Sequence, residues 1–346
     1  MKIAASLLSL GFILVVLELA CRFLPVNHGR VVPDINSDSP IVRFEPNATT
    51  HYSLGPFLKY SNKVKINNYG FVSNIDYNPD DPKPKIAIIG DSYIEALTVP
   101  WTETLQGRLN DEIDSHLFYS FGISGSPLSQ YLAFARFAKE EFAPKSYVFL
   151  IIGNDFDESF YKYRPAPAFH YFTDPFDPQN PLELISYSPS FIKRIERRSR
   201  FGSYLRRNIK IQHRINVSAF PDEPKIPYTD LDKKISISNK ATDHFIELLP
   251  KMTGKEAASI YFIIDGLRST IYDPSSDQSY FESVRGYFIE KALSAGYNVI
   301  DLQPAFEQHF SRHRQLFNFE DDYHWNSLGH QIAAEEIGKT LDLSSK

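Results

Sequence analysis

The chain has 346 residues, of which 42% are hydrophobic, 14% aromatic and 23% charged, a globular profile that excludes a disordered or collagen-like protein. Lys and Arg number 37 against 42 Asp and Glu, and the net charge of -5 argues against a dedicated nucleic-acid binder. The single cysteine, Cys21, excludes an intramolecular disulfide and a multi-cysteine zinc site.

The first 24 residues read as a membrane anchor. From Ile3 to Ala20 the chain is apolar except for small residues and Glu18. A helix of that length nearly spans a hydrocarbon core of roughly 30 Å. Lys2 ahead of it favours an N-in orientation with the rest of the chain outside the cytoplasm, although Arg22 and Arg30 stand on the outer flank. A retained signal anchor is preferred over a cleaved signal peptide, a lipoprotein acylated at Cys21 and a buried core helix. A cleaved signal peptide wants a small-x-small site after the apolar run, and acylation at Cys21 wants an aliphatic residue where Glu18 stands. On this reading the segment is an address with no part in the fold.

Residues 25–84 are rich in Pro, Asn, Ser and Asp and read as a stalk and irregular lead-in. From Lys85 the pattern changes. KIAIIG, HLFYSF, SYVFLII, SIYFIID and YNVI are short apolar runs that read as buried strands. Helical stretches separate them: Leu105, Leu109 and Ile113 share one face, and LSQYLAFARFAKEEF, DHFIELLPKM, SYFESVRGYFIEKALSA and SLGHQIAAEEIGKTL follow. Strands alternating with helices predict an α/β fold, with a mostly parallel five-stranded sheet between two helical layers in a domain spanning 85–346. A stretch at about 157–240 breaks the rhythm and reads as a cap-like insertion between the third and fourth strands. It holds the aromatics Tyr161, Tyr163, Phe169, Tyr171 and Phe172, read as cap core before sugar platform. It also holds a basic stretch from Lys193 to Arg214, read as a solvated helix face before a surface for anionic lipid headgroups or an anionic polymer.

Four polar segments fall where this reading puts the carboxyl ends of strands or the start of the last helix. They are Gly90-Asp91-Ser92-Tyr93, Phe121-Gly122-Ile123-Ser124-Gly125, Gly153-Asn154-Asp155 and Asp321-Asp322-Tyr323-His324. Ligands of open α/β sheets bind beyond the carboxyl ends of the strands, so these segments are expected to meet. A serine in a tight strand-to-helix turn needs a base to become a nucleophile, and His324 can serve. A carboxylate must hold the imidazole tautomer; Asp321 and Asp322 compete for this, and the spacing favours Asp321. Oxyanion donors are available from the Ser92 and Gly125 amides, with Gly122 the alternative to Gly125, and from the Asn154 side chain. Asp155 reads as a loop buttress, and His330 as a packing or capping residue.

The set Gly90-Asp91-Ser92, Gly125, Asn154-Asp155 and Asp321-x-x-His324, in that order over residues 85–341, resembles the SGNH/GDSL hydrolase superfamily. Asn67-Asn68-Tyr69-Gly70-Phe71 ahead of the first strand looks like the lead-in of exported, membrane-tethered bacterial members. The resemblance implies a flavodoxin-like three-layer sandwich, Ser92 as nucleophile, Asp321 and His324 completing a triad, and Ser92, Gly125 and Asn154 forming an oxyanion hole. No metal or organic cofactor is implied. The substrate class it suggests is an O-acylated glycan or a lipid ester. A polysaccharide O-acetyltransferase using the same residues and a non-catalytic glycan-binding protein are the rival functions. The chain departs from the family pattern with Tyr93 where Leu is usual, Ile152-Gly153 ahead of Asn154, and Trp325 where Pro often follows the histidine.

Overall fold

The computed structural model describes residues 2–190, 199–209, 230–276, 279–320 and 322–341. Helix α1 (Lys2–Phe23) opens the chain. Its stretch Ala5–Phe23 is long and apolar enough to cross a membrane, with a mean hydropathy of 2.0. The helix nevertheless bonds to the rest of the molecule. The Glu18 carboxylate accepts hydrogen bonds from the Ser199 hydroxyl at 2.9 Å and from the Arg200 and Phe201 amides, both at 3.1 Å. The expectation that this segment takes no part in the fold does not hold at Glu18.

The lead-in is also more than a stalk. Strands β1 (Ala48–Leu54) and β2 (Tyr60–Ile66) form an antiparallel hairpin. Val42, Phe44, Ile66, Phe71 and Tyr77 are buried in the larger of the two cores. Side-chain turns, not apolar periodicity, order this stretch. The Asn67 Oδ1 accepts from the Tyr69 and Phe71 amides at 3.0 Å each. Asn68 brackets the Tyr77 backbone, donating to its carbonyl and accepting from its amide, both at 2.8 Å. Tyr77 in turn stacks on Tyr119 with ring centroids 4.1 Å apart and donates to the Ser120 carbonyl at 2.8 Å.

The main sheet begins with β3 (Lys85–Gly90), followed by the short helix α2 (Ser92–Glu95), α3 (Leu105–Glu112), β4 (Leu117–Gly122), α4 (Leu128–Phe142) and β5 (Ser146–Ile151). The insertion contributes a ribbon of β6 (His170–Phe172) and β7 (Leu182–Leu184) and the short helix α5 (Arg200–Ser203). Most of the basic stretch, residues 191–198 and 210–229, lies outside the described residues. Within the aromatic cluster Phe169, Tyr171 and Phe172 are buried, as cap core requires, while Tyr161 is exposed. Helix α6 (Leu231–Thr253) packs on α4, so the sandwich resumes before residue 240. Next come β8 (Ile260–Ile264), α7 (Arg268–Tyr272), α8 (Ser279–Ser294), β9 (Asn298–Asp301) and α9 (Gln303–His313). The hairpin of β10 (Asn318–Phe319) and β11 (Asp322–Trp325) and helix α10 (Ser327–Thr340) close the chain.

The five strands pair in the order β4-β3-β5-β8-β9, all parallel. Every residue of β3 is buried, as a strand covered on both faces demands. Alternate residues feed two cores. Ala87, Ile89, Phe121 and Phe149 pack with residues of α4, α6 and α8. Ile86, Ile88, Phe118 and Val148 pack with residues of α3, α9 and α10. This is the expected three-layer α/β/α sandwich. The chain leaves β3 for β4 on one side and crosses to β5 on the other, so the strand order reverses at β3. A crevice beyond the carboxyl end of β3 follows from that reversal, and Ser92 lies there.

Candidate active site

Ser92 is the first residue of α2, two residues past the end of β3. Asp91 caps the helix: its buried carboxylate accepts the Tyr93 amide at 3.0 Å and the Ser92 hydroxyl at 3.0 Å. Burial pushes the Asp91 carboxyl above its ordinary value, against the pull of these hydrogen bonds and of His324. Ser92 itself is half-buried. The helix can lie this close to β4 because Gly122 has no side chain. A Cβ there would stand 2.7 Å from the Glu95 amide nitrogen.

The loop after β4 carries Ser124 and Gly125. The Glu95 carboxylate, buried on α2, accepts the Ser124 amide at 2.8 Å and the Ser124 hydroxyl. Gly125 has a φ of +79°, a conformation that favours glycine. Its carbonyl accepts from Arg164 Nη1. In the loop after β5, buried Asp155 accepts the Ile152 amide at 2.8 Å and the Tyr131 hydroxyl at 3.0 Å. It is the buttress its position suggested. Burial and the nearby Asp91 charge hold its carboxyl well above the ordinary range. Asn154, carried on this braced loop, is exposed and lines a cavity of about 360 Å³ together with Tyr93, Arg268, Tyr280 and Phe281.

His324 sits on β11. Its Nδ1 is hydrogen-bonded to Asp322 Oδ1, and the same oxygen accepts the His324 amide at 3.1 Å. Asp321, the spacing-favoured partner, lies outside the described residues. Residues 322 and 324 are two apart on a strand, so their side chains share a face. Burial draws the His324 pKa down, but the Asp322 hydrogen bond and charge, with the Asp91 and Glu95 charges, outweigh it and leave the pKa above its ordinary value. The imidazole ring centroid lies 5.0 Å from that of Tyr93, the residue after Ser92. The segments carrying residues 92 and 324 therefore meet. In this arrangement the Ser92 hydroxyl donates to Asp91, not to His324.

A buried clasp that the motifs did not announce holds β11 in place. The Tyr93 hydroxyl donates to the Tyr323 carbonyl at 2.8 Å. Arg268 donates to the Tyr93 hydroxyl at 2.6 Å and to the Tyr323 carbonyl at 2.7 Å. Arg268 is held by Asp265 at 3.0 Å, and Asp265 also accepts the Trp325 indole N–H at 3.1 Å. Two departures from the family pattern, Tyr93 and Trp325, are thus partners in one network. Asp265 closes the apolar run SIYFIID at the carboxyl end of β8, and the rule that found the other segments would have flagged it. His330 is buried and accepts the Leu105 amide at 3.3 Å, a packing role, with burial pushing its pKa down to about 3. Among the described residues no group of three or more His, Cys, Asp and Glu is placed to hold a metal ion.

A base must be neutral to accept a proton. Because the His324 pKa is raised in the fold, hydrolysis that depends on it is expected to fall as pH drops through a value above the ordinary 6.5 of histidine. A kcat/KM profile of the wild type and Asp322→Asn checks this. The acid limb should move to lower pH in the variant, and a limb that stays in place means Asp322 is not what raises it.

The family model described as GDSL-like lipase/acylhydrolase matches residues 86–337. Among solved structures, the chain is similar to a lipase/acylhydrolase from Enterococcus faecalis, at 13% identity, 75% coverage of this chain and 95% of that one, and a TM-score of 0.41. It is also similar to the psychrotrophic esterase EstA from Pseudoalteromonas sp., at 11% identity, 75% and 97% coverage, and a TM-score of 0.40. These structural likenesses are loose, and membership rests on the family match. No curated protein matches the chain. With that match spanning most of the chain, and the sheet and its crevice in place, the chain belongs to the GDSL-like lipase/acylhydrolase family of ester-bond hydrolases.

Proposed function

We propose that the chain is a serine esterase that works through an acyl-Ser92 intermediate, tethered by α1 with its catalytic domain outside the cytoplasm. The observation that carries this reading is the Asp322–His324 pair pinned beside the Ser92 turn by Tyr93 and Arg268. With Nδ1 turned to Asp322, the Nε2 of His324 is left to accept a proton. To react, the Ser92 hydroxyl that donates to Asp91 in this arrangement would turn from that carboxylate toward that nitrogen.

In the first half-reaction Ser92 Oγ attacks the ester carbonyl carbon and its proton passes to His324 Nε2. The negative charge that develops on the carbonyl oxygen is met by the Ser92 and Gly125 amides and the Asn154 side chain. The carbon–oxygen bond to the alcohol then breaks, and the alcohol leaves with the proton from His324. In the second half-reaction water gives a proton to His324, attacks the acyl-serine carbonyl and releases the acid as Ser92 takes the proton back. Asp322 keeps the imidazole tautomer throughout, in the role the sequence spacing gave to Asp321. The substrate class in keeping with a tethered esterase of this family is an O-acylated glycan or a lipid ester.

The test is covalent labelling of the detergent-solubilised full chain with a fluorophosphonate. The expected result is a single adduct that mass spectrometry places on Ser92 and that Ser92→Ala abolishes. An unlabelled wild type, or an adduct elsewhere, would overturn the proposal.

A further inference from the structure

A second cavity, of about 310 Å³, opens where Glu95 and Ser124 meet the lead-in and the segment following α5. Among the described residues, the guanidinium groups of Arg30, Arg206 and Arg207 line it, with one carboxylate, that of Glu95. Phe44 and Phe169 supply apolar wall.

The charges do not close among themselves. Arg30 Nη1 stands 3.5 Å from Glu95 Oε1, within ion-pair range but too far for a good hydrogen bond. Arg30 Nε and Glu95 Oε1 are both buried without a hydrogen-bond partner among the described residues. The other Glu95 oxygen is committed to the Ser124 amide and hydroxyl. Arg207 lines the cavity and is exposed. Its guanidinium makes no hydrogen bond to a described residue. Burial, then the nearby Arg30 and Arg206 charges, push its pKa down to about 10, so it is still a cation at neutral pH.

Arg206 has an interaction partner of its own; Arg30 and Arg207 set against the one carboxylate of Glu95 still leave the cavity positive and suited to an anion. The planar fork of arginine fits carboxylate and phosphate oxygens. The location also matters. Glu95 lies three residues after Ser92 on the same short helix, a rise of about 4.5 Å, and Ser124 directly precedes Gly125. We propose that this cavity is an anion subsite of the esterase, seating a carboxylate or phosphate carried by the ester substrate beside the acyl-transfer centre. The proposal rests on the serine-esterase reading given above.

Two measurements on the detergent-solubilised full chain test it, with Arg207→Gln as the variant because an accessible side chain can be exchanged without opening the core. Calorimetric titration of inorganic phosphate should show binding to the wild type and to Ser92→Ala, and about tenfold weaker binding to Arg207→Gln. The ratio of kcat/KM for mono-4-nitrophenyl succinate over 4-nitrophenyl acetate should fall about tenfold in Arg207→Gln. Phosphate binding that is absent from the wild type or equal in Arg207→Gln overturns the subsite. A ratio that Arg207→Gln leaves alone overturns its assignment to the substrate. Retained hydrolysis in Ser92→Ala sinks the esterase reading instead, and does so without touching the phosphate result.

Discussion

Replacing Ser92 with alanine is expected to lower kcat for 4-nitrophenyl acetate by about 10⁴- to 10⁶-fold, the range seen when the nucleophile of a catalytic triad is removed. The chain should stay folded. Among the described residues the hydroxyl makes one hydrogen bond, to Asp91, and the same carboxylate keeps the Tyr93 amide at 3.0 Å that caps α2. Losing the hydroxyl therefore costs about 1–2 kcal/mol of stability. Thermal unfolding measured beside the kinetics separates the two effects. A folded Ser92→Ala chain that turns over ester at more than a tenth of the wild-type rate would remove Ser92 from the role of nucleophile.

The second large effect separates two adjacent carboxylates. Asp322→Asn is expected to lower kcat by about 10⁴-fold, because an amide donor facing Nδ1 favours the wrong imidazole tautomer. Asp321→Asn should leave kcat within about threefold, the range of an exchange that leaves the paired carboxylate in place. The asparagine at 322 can still accept the His324 amide that Asp322 accepts at 3.1 Å, so the local backbone has no cause to move. The opposite pattern, with Asp321→Asn crippled and Asp322→Asn near wild type, would return the orienting role to Asp321.

This pair of residues also shows where sequence reasoning stopped. Spacing within a motif does not reveal that Asp322 shares a face with the histidine; the strand geometry of β11 does, since side chains alternate there. The sheet was far easier to read. Its strands are continuous apolar runs such as KIAIIG, each bounded by glycine or polar residues, and parallel strands buried on both faces must look that way. The lead-in was not legible, because Asn67 and Asn68 order it through side-chain turns and Tyr77 through ring stacking. Neither leaves a periodic trace in a sequence. The Asp265–Arg268 clasp joins Tyr93 to an arginine 175 residues further along, and only the folded chain brings them together. Its visible signature was indirect: two motif positions, Tyr93 and Trp325, that differ from the usual family residues and are linked through the Asp265–Arg268 pair.

The Glu18 carboxylate has a bearing on how the mature polypeptide must look. It supplies acceptors to three donors at the start of α5, and three and four residues beyond that helix stand Arg206 and Arg207. A leader peptidase cutting after the apolar run would carry that acceptor away and leave Ser199, Arg200 and Phe201 to find water or one another. A trimmed form would then present loosened arginines at the mouth of the cavity, so the uncut chain is the better material for substrate profiling.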